Sequence, residues 1–178
     1  MTSPATAMRW VKSYRADPLA RVIADRHYNR QKVGSKQFVP PGSCCVLLER
    51  DQRAFWVTSA PKAEYVKHEW AGAWVCSAFR SEDAGGSIEL VRQALAASRH
   101  HLGEPPSLGL VTFIDARKVE PIMTRGVPGF GWVWIKAGFH YVGKTKDGLL
   151  AFQILPADMP AAVPALPRTV LQIPAEAA

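Results

Sequence analysis

The sequence predicts one α/β or α+β domain built around a single central sheet. Helix-type and strand-type patterns follow one another in the order helix, strands, helix, strand, helix, strands, which is typical of a mixed domain. The chain has 178 residues, of which 48% are hydrophobic and 21% charged. This is long enough and apolar enough for a buried core, and no internal repeat is visible.

The N-terminal part is predicted to contain a helix followed by a hairpin. Asp17 suits the cap of this helix and Pro18 its first position. Apolar residues then recur at helical spacing, namely Leu19, Val22, Ile23 and Tyr28. The segments CVLLER and AFWVTSA flank the turn sequence DQR, and this arrangement predicts a β-hairpin.

The middle of the chain is predicted to hold a strand, a long helix and a second strand. GAWVCSAFR, residues 72–80, is the first strand. Ser87 is the predicted cap of the helix, which Gly103 and a following Pro pair end. Its apolar face consists of Ile88, Leu90, Val91 and Leu95. LGLVTFID, residues 108–115, is an apolar run typical of a buried strand and ends in an acid.

The C-terminal part is predicted to close the sheet. GWVWIKAG indicates a short helix, and FHYVGKT and LLAFQI flank KDG as a pair of strands. Residues 156–178 are rich in Pro and Ala and lack periodicity. We therefore expect a domain of residues 1–155 and a tail of residues 156–178 that is extended, packed on the surface or disordered.

The composition favours a polyanionic partner. The formal net charge is +7, and phosphates that are neutralised by basic side chains release condensed counterions, although many basic proteins bind no polyanion. The apolar runs are far shorter than the roughly 20 residues that span a bilayer. MTSPATAMRW lacks the features of a signal peptide, and three cysteines without a CxxC pair indicate reduced thiols. We expect a cytoplasmic protein with no membrane partner.

Residues 131–154 resemble the end of the GNAT acyltransferase fold. A helix ends in KAGF, and a strand, a tight turn and a final strand follow. Gly138 suits this place because a helix end often needs a positive φ, which glycine adopts without a clash. The resemblance implies a single GNAT-like α/β domain in which helices flank a central mixed, mostly antiparallel sheet.

FRSEDAGGSIELV lies where such a fold holds the phosphates of a donor, between a strand and the start of a helix. The implied donor-binding residues are Arg80, Gly85, Gly86 and Ser87. The segment departs from the usual acetyl-CoA signature because Glu82 and Asp83 intrude, and acids repel a pyrophosphate. A Gly-rich helix start without a ligand and a donor other than CoA are both alternatives.

Four segments in order resemble the Mom family of phage DNA-modification proteins. They are RHYNRQKVGSKQFVPPGSC, AEYVKHEWAGAWVCSAFR, GEPPSLGLVTFIDARKV and AGFHYVGKTKDGLLAFQ. The resemblance implies an enzyme that adds a carbamoylmethyl-type group to the exocyclic amine of adenine in double-stranded DNA, protecting phage DNA from host restriction. It implies an acyl or aminoacyl-type donor, with an acetyl-CoA-like molecule as one candidate, and iron as a candidate cofactor.

The resemblance also implies catalytic roles for His27, Tyr28 and Asp115. A histidine exchanges protons near neutral pH, and both rings can stack on a base extruded from the duplex. Asp115 can orient the adenine amine or, alternatively, act as a turn aspartate that bonds the amides after it. Trp134 stands where GNAT enzymes commonly carry a tyrosine, and tryptophan does not titrate.

Basic residues are expected to contact the DNA backbone. The predicted nucleic-acid-binding residues are Arg26, Arg30, Lys32, Lys36, Lys67, His68, Arg117, Lys118 and Arg125. Solvated side chains at helix and strand ends are the alternative. His27, His68 and Asp115 are residue types that suit iron. Because no HxH or HxxxH spacing supports such a site, no metal ligand is predicted.

Two other functions remain open from the sequence. One is a GNAT-type acyltransferase that acts on a small molecule or peptide, since a fold does not settle a substrate. The other is a non-catalytic DNA-binding derivative of the fold. The missing tyrosine and the acids in the phosphate-binding segment favour the second.

Overall fold

A mixed sheet forms the centre of the molecule. The computed structural model describes residues 6–171. The strands in this range are β1 (Trp10–Lys12), β2 (Ser43–Glu49), β3 (Ala54–Ala60), β4 (Trp74–Ser81), β5 (Leu110–Ile114), β6 (Ile122–Thr124), β7 (Val127–Gly129), β8 (His140–Lys144) and β9 (Leu150–Ile154). The helices are α1 (Pro18–Ala24), α2 (Ser87–Leu102) and α3 (Trp132–Lys136), and short 3₁₀ turns lie at Ala63–Tyr65 and Arg168–Val170.

Seven strands form the main sheet in the order β1-β2-β3-β4-β5-β9-β8. Neighbouring strands are antiparallel except for β4 and β5, which are parallel. The prediction of an α/β domain around one mixed, mostly antiparallel sheet is therefore confirmed. The predicted hairpin corresponds to β2 and β3, and the predicted closing pair to β8 and β9.

The parallel pairing of β4 with β5 is short. It joins Trp74–Cys76 to Leu110–Thr112. Beyond it β4 continues along β3 as far as Ser81, while β5 continues along β9 as far as Ile114. The two strands therefore part in the middle of the sheet, and the gap between them is available to side chains from elsewhere in the chain.

Helices cover both faces of the sheet because successive residues of a strand point to opposite faces. On one face α2 packs with α3 over alternate residues of the central strands, including Leu47 and Trp56. On the other face α1 packs over the residues between them, including Leu48 and Phe55. Leu90, Val91 and Leu95, three of the residues predicted for the apolar face of α2, are completely buried, whereas Ile88 is half-buried.

Helix α1 begins as predicted, since the Asp17 side chain accepts a hydrogen bond from the Leu19 amide at 3.0 Å. The prediction of its buried face is partly wrong. Val22 is 54% exposed, and Tyr28 lies after the end of the helix at Ala24. The buried residues of α1 are Ala20, Ile23 and Ala24. A helix of seven residues is too short for spacing alone to identify the face that packs.

The predicted cap of α2 is also wrong. Gly86, with a φ of 64°, is the cap residue, and Ser87 is the first helical residue and makes no capping hydrogen bond. The loop before the helix is instead held by Arg9, which donates to the carbonyl oxygens of Ala84 and Gly85 at 2.6 and 2.8 Å. Gly103 ends the helix as predicted.

The described part of the predicted tail, residues 156–171, packs along the domain. Leu166 bridges to Val11 of β1, and Met159 and Leu171 are buried. Arg168 forms a two-bond ion pair with Asp17, with distances of 2.5 and 2.9 Å. Residues 172–178 of the predicted tail lie outside the described residues. No helix within residues 6–171 is long and apolar enough to cross a bilayer.

We expect the substitution Asp17→Ala to lower the free energy of unfolding by about 3 kcal/mol, because it leaves Arg168 without its partner and removes the cap of α1. Burial raises the pKa of Asp17, but hydrogen bonds from Arg168, Ser13 and Leu19 together lower it below 3.8. A lowered folded-state pKa stabilises the protein above the unfolded value, so the difference between wild type and variant should shrink as pH falls below 3.8.

Urea denaturation at several pH values measures this difference. Glu104→Ala is the matched control, because it also removes a carboxylate from an arginine pair, but Glu104 has an 84% exposed side chain. The control should cost less than about 0.5 kcal/mol. Equal losses in the two variants would contradict the prediction.

Candidate functional site

A cleft of about 250 Å³ opens where β4 and β5 part. Ser77–Phe79 of β4 and Thr112–Ile114 of β5 form its two sides, and the start of α3 closes it. Its ring-bearing lining residues are His27, Tyr28, Phe79, Phe113, Phe130, Trp132 and Trp134. A second cavity of about 470 Å³ adjoins the cleft, shares Tyr28 and Asn29 with it and is also lined by Asp115 and Lys118.

Backbone carbonyl groups of β4 face this gap, and side chains from the turn after α1 bond them. The side-chain nitrogen of Asn29, Nδ2, donates to the Ser77 carbonyl at 2.7 Å. His27 Nε2 lies 3.1 Å from the carbonyl oxygen of Phe79, and this nitrogen must be the donor because a carbonyl only accepts. Ser77 and Phe79 are two residues apart and so expose their carbonyls on the same edge of the strand. His27 and Asn29 thus replace the hydrogen bonds that a neighbouring strand would supply.

His27 is 9% exposed, and both of its ring nitrogens have partners within the protein. Nε2 bonds Phe79, and Nδ1 contacts the Asn29 side chain and also lies 3.3 Å from the Asn29 amide nitrogen. Burial lowers the pKa of His27, and its hydrogen bonds to Asn29 and Phe79 offset only part of that effect. This arrangement suits a residue that holds the turn in place. It leaves no free ring nitrogen to exchange a proton with a ligand in the cleft.

Of the three predicted catalytic residues, Tyr28 is the most exposed to solvent. Its ring stacks on His27 with centroids 4.7 Å apart, and it is 38% exposed. Burial raises the pKa of its hydroxyl, and a hydrogen bond from the Asp115 backbone lowers it in part. Because Tyr28 lines both cavities, it presents an aromatic surface and a neutral hydroxyl where they meet.

Asp115 follows β5, as predicted, and its side chain is 8% exposed. Its carboxylate accepts a hydrogen bond from the Arg117 amide at 3.0 Å and two from the Arg117 side chain at 2.8 and 2.9 Å. The hydrogen bond from the Arg117 side chain is the main reason that the pKa of Asp115 is lowered. Asp115 therefore has the contacts of a turn aspartate that bonds the amide after it, which was the alternative to a catalytic role. Its lowered pKa makes the carboxylate a weak base.

The three predicted catalytic residues lie in one neighbourhood. His27 stacks on Tyr28, and the Tyr28 hydroxyl approaches the backbone of Asp115. The arrangement can place a flat ligand against Tyr28 and offer it hydrogen-bonding groups from Ser77, Asn29 and Thr112, which line the same cleft. Asn29 was not among the predicted site residues, although it stands within the segment RHYNRQKVGSKQFVPPGSC.

The segment FRSEDAGGSIELV, which was predicted to hold the phosphates of a donor, has no arginine side chain that is free to bind them. Glu82 accepts hydrogen bonds from the side chains of both Arg26 and Arg80. These bonds, chiefly the one from Arg26, lower the pKa of Glu82 to about 2. Gly85 and Gly86 have positive φ angles of 70° and 64°, and neither they nor Ser87 nor Arg80 are among the residues that line the cleft.

The predicted nucleic-acid-binding residues divide into two groups. The arginines near the cleft are paired, Arg26 with Glu82, Arg30 with Asp25 and Arg117 with Asp115. Arg30 has only 8% of its side chain exposed and also bonds the carbonyls of Ser35 and Gln37, so it shapes its own loop. The second group consists of the predicted residues that are exposed and form no ion pair with an acid of residues 6–171, namely Lys32, Lys36, Lys67, Lys118 and Arg125.

His68 and Trp134 belong to aromatic clusters. The His68 ring lies 4.9 Å from that of Phe113, its Nδ1 accepts a hydrogen bond from the Trp70 amide, and burial lowers its pKa. Trp134 packs 5.8 Å from Trp56 and lines the cleft. It therefore forms part of the cleft wall, in the position where the GNAT resemblance implies a tyrosine.

No group of three or more His, Cys, Asp or Glu side chains within residues 6–171 is arranged to hold a metal ion. His27, His68 and Asp115 each bond other groups of the protein.

The chain was also compared with models of protein families, with curated proteins and with solved structures, and none of these comparisons gave a significant match.

We expect two substitutions of Asn29 to shift the pKa of His27 in opposite directions. Asn29→Ala removes a hydrogen bond that raises this pKa, so the pKa should fall further below 6.5, the ordinary value. Asn29→Asp places a negative charge beside Nδ1, so the pKa should rise. NMR titration of the His27 ring measures both shifts, and shifts in the same direction would contradict the geometry described.

Proposed function

We propose that this protein is a DNA-modifying transferase that adds a carbamoylmethyl-type group to the exocyclic amine of adenine in double-stranded DNA. The observation that carries the proposal is the aromatic cleft between β4 and β5, with Tyr28 at the junction of its two cavities. A base extruded from a duplex is flat and apolar on its faces and has polar edges. It needs stacking surfaces together with a few hydrogen-bonding groups.

The size and lining of the cleft support this proposal. Ligand pockets are usually on the order of 300–1,000 Å³ and are mostly apolar with a few polar groups. The second cavity, of about 470 Å³, lies within that range, and the cleft itself, of about 250 Å³, lies just below it. Tyr28 and the tryptophans of α3 offer ring faces. The Tyr28 hydroxyl and the side-chain N–H of Asn29 that does not bond Ser77 offer polar groups for the edge of a purine.

The exposed lysines support DNA as the carrier of that base. Lys118 lines the second cavity, and Lys32, Lys36 and Lys67 lie on the surface of the segments after α1 and before β4. Ion pairing with Asp25, Glu82 and Asp115 occupies the nearby arginines, so the lysines and Arg125 carry the unpaired charge. Free cations around an apolar cleft suit a ligand whose backbone is anionic and whose base is not.

The proposed reaction joins the adenine amine nitrogen to the methylene carbon of a donor, because this carbon is the point of attachment of a carbamoylmethyl group. A bond from that carbon to a leaving group breaks, the leaving group departs with the electron pair, and the amine gives up a proton. Tyr28 holds the base by stacking and hydrogen bonding, His27 positions Tyr28, and Asp115 positions Arg117 at the rim. The low pKa of Asp115 and the occupied nitrogens of His27 make water or the leaving group itself the acceptor of that proton.

The residues that the resemblance assigns to an acetyl-CoA-like donor do not fit a pyrophosphate as they stand. Glu82 occupies both guanidinium groups, and the carbonyls of Ala84 and Gly85 face Arg9. No step through CoA is therefore proposed. An acyl or aminoacyl-type donor that reacts at its carbonyl carbon would convert the adenine amine to an amide, so the proposed product requires such a donor to react at its methylene carbon instead. No step is derived through iron either, because the candidate ligands do not form a group in the described part of the chain.

One observation favours a second candidate, a non-catalytic DNA-binding protein with the same scaffold. Both ring nitrogens of His27 and both oxygens of Asp115 are bonded within the protein, so neither is ready to move a proton. This candidate shares the cleft, the extruded base and the basic rim with the transferase. It differs in leaving the DNA chemically unchanged.

Expression of the protein in bacteria, followed by digestion of total DNA and mass spectrometry of the nucleosides, separates the two candidates. We expect a deoxyadenosine of increased mass with the wild type, and its loss with Tyr28→Ala because the stacking surface is gone. Tyr65→Ala is the matched control, since Tyr65 is 77% exposed and lies outside the cleft. Unmodified DNA from the wild type, together with tight DNA binding, would identify the non-catalytic protein.

The affinity of the protein for duplex DNA should fall steeply with salt. In a plot of the logarithm of the association constant against the logarithm of the salt concentration, each neutralised phosphate should contribute about −0.9 to the slope. Lys118→Ala should make the slope shallower by about one. Lys12→Ala is the control, because Lys12 is exposed on β1 at the far edge of the sheet, and an equal change in both variants would argue against a DNA interface at the cleft.

A further inference from the structure

A small hairpin stands apart from the main sheet at the mouth of the cleft. Strands β6 and β7 pair only with each other, with Ile122 opposite Gly129, Met123 opposite Pro128 and Thr124 opposite Val127. Arg125 and Gly126 form the turn between them, with φ angles of 51° and 78°. We call residues 122–129 the arm.

The apolar side chains of the arm lie in solvent. Ile122 is 48%, Met123 59% and Val127 65% exposed, and every residue of the two strands is exposed. An isolated two-stranded hairpin is marginally stable in water, and three exposed apolar side chains on so short a segment add no packing to hold it. These features are typical of a segment that packs against a partner rather than against its own domain.

Both ends of the arm are nevertheless anchored beside the cleft. Val119 packs against the main core before the arm begins. After it, Gly131 lies so close to Phe152 that a Cβ at this position would be 2.3 Å from the ring. Ile122 and Gly129, the first and last residues of the arm, line the same cleft as Tyr28, so the position of the arm relative to Tyr28 is fixed at its base.

The charge around the arm indicates an anionic partner. Arg125, at the tip, forms no ion pair with the acids of residues 6–171. Arg117 is paired with Asp115. Lys118 and Arg125 are therefore the cations of residues 116–131 that form no ion pair within residues 6–171, and this segment contains one acid, Glu120. Apolar side chains between cations match a stacked nucleic-acid duplex, which has anionic edges and an apolar interior. A hydrophobic protein surface would match the apolar residues and leave the cations without partners.

We propose that the arm is a wedge that enters the DNA duplex and fills the space left by the base that occupies the cleft. Met123, opposite Pro128, and Val127, opposite Thr124, point to opposite faces of the arm. Each therefore contacts one of the two base pairs between which the arm inserts, as apolar residues of architectural DNA-binding proteins do, while Arg125 contacts the backbone beyond them. The inference rests on the proposed function, because it takes the ligand of the cleft to be an extruded base. To the proposed function it adds a role for the arm, which keeps the duplex open while the base lies in the cleft.

The test compares two duplexes of the same mixed sequence, one fully paired and one with abasic sites opposite its adenines. In the second duplex the adenines are already unpaired, so extruding one costs less free energy and the wedge contributes less to binding. We expect Met123→Ser/Val127→Ser to bind the paired duplex about tenfold more weakly than the wild type, and the pre-opened duplex within about threefold. Fluorescence anisotropy measures both affinities, and thermal melting checks that the variant is folded.

Two controls show whether the effect belongs to the apolar wedge. Leu155→Ser/Val163→Ser also replaces two exposed apolar residues, 46% and 43% exposed, outside the arm, and it should bind both duplexes like the wild type. Arg125→Ala should weaken binding to both duplexes by a similar factor, since it removes a backbone contact and no wedge.

The outcomes distinguish this inference from the proposed function. If the wild type binds and modifies DNA but the arm variant loses the same factor on both duplexes, or nothing on either, the arm is no wedge and the transferase proposal stands. If the wild type neither binds nor modifies DNA, both proposals fail. A selective loss on the paired duplex, with a loss of about tenfold in modified deoxyadenosine in cells, supports the wedge.

Discussion

The hydrogen bonds that His27 and Asn29 make with the edge of β4 determine where this protein can hold a ligand. A strand in the middle of a sheet normally satisfies its backbone groups with two neighbours, and β4 loses one of them where β5 turns away after Thr112. The Ser77 and Phe79 carbonyls are bonded instead by two side chains from the turn after α1. Both carbonyls therefore keep a hydrogen-bond partner where the gap opens, and Tyr28, between His27 and Asn29, is held at the edge of the gap.

The same turn explains the distribution of charge around the cleft. Arginines that stand near it in the sequence are paired with acids: Arg26 with Glu82, Arg30 with Asp25 and Arg117 with Asp115. These pairs hold loops in place, since an arginine fork fits a carboxylate with two parallel bonds. Lysines, together with Arg125 on the arm, remain exposed. Lys118, which lines the second cavity, thus places an unpaired cation beside the cleft, whereas the wall of the cleft is largely aromatic.

The sequence-based predictions were most accurate where a pattern is local. The strands β2, β3, β5, β8 and β9 and the helices α2 and α3 follow from alternation, spacing and the glycines at their ends. His27, Tyr28 and Asp115 lie in one neighbourhood, and their catalytic roles stay a prediction. The two-residue spacing of His27 and Asn29 did not indicate in the sequence that both side chains bond the same strand edge. Its meaning depends on carbonyls of β4 that are 48 and 52 residues away in the chain.

The sequence by itself determined the class of the fold, because hydrophobic periodicity specifies which face of each helix and strand is buried, and it determined the excess of positive charge, because charge is a sum over residues. The tertiary structure alone decided which basic groups are free, since Arg26 meets Glu82 only when the turn after α1 and the end of β4 come together. It also decided that β4 and β5 part and that the arm is exposed. These features depend on contacts between distant segments, and no local pattern records such contacts.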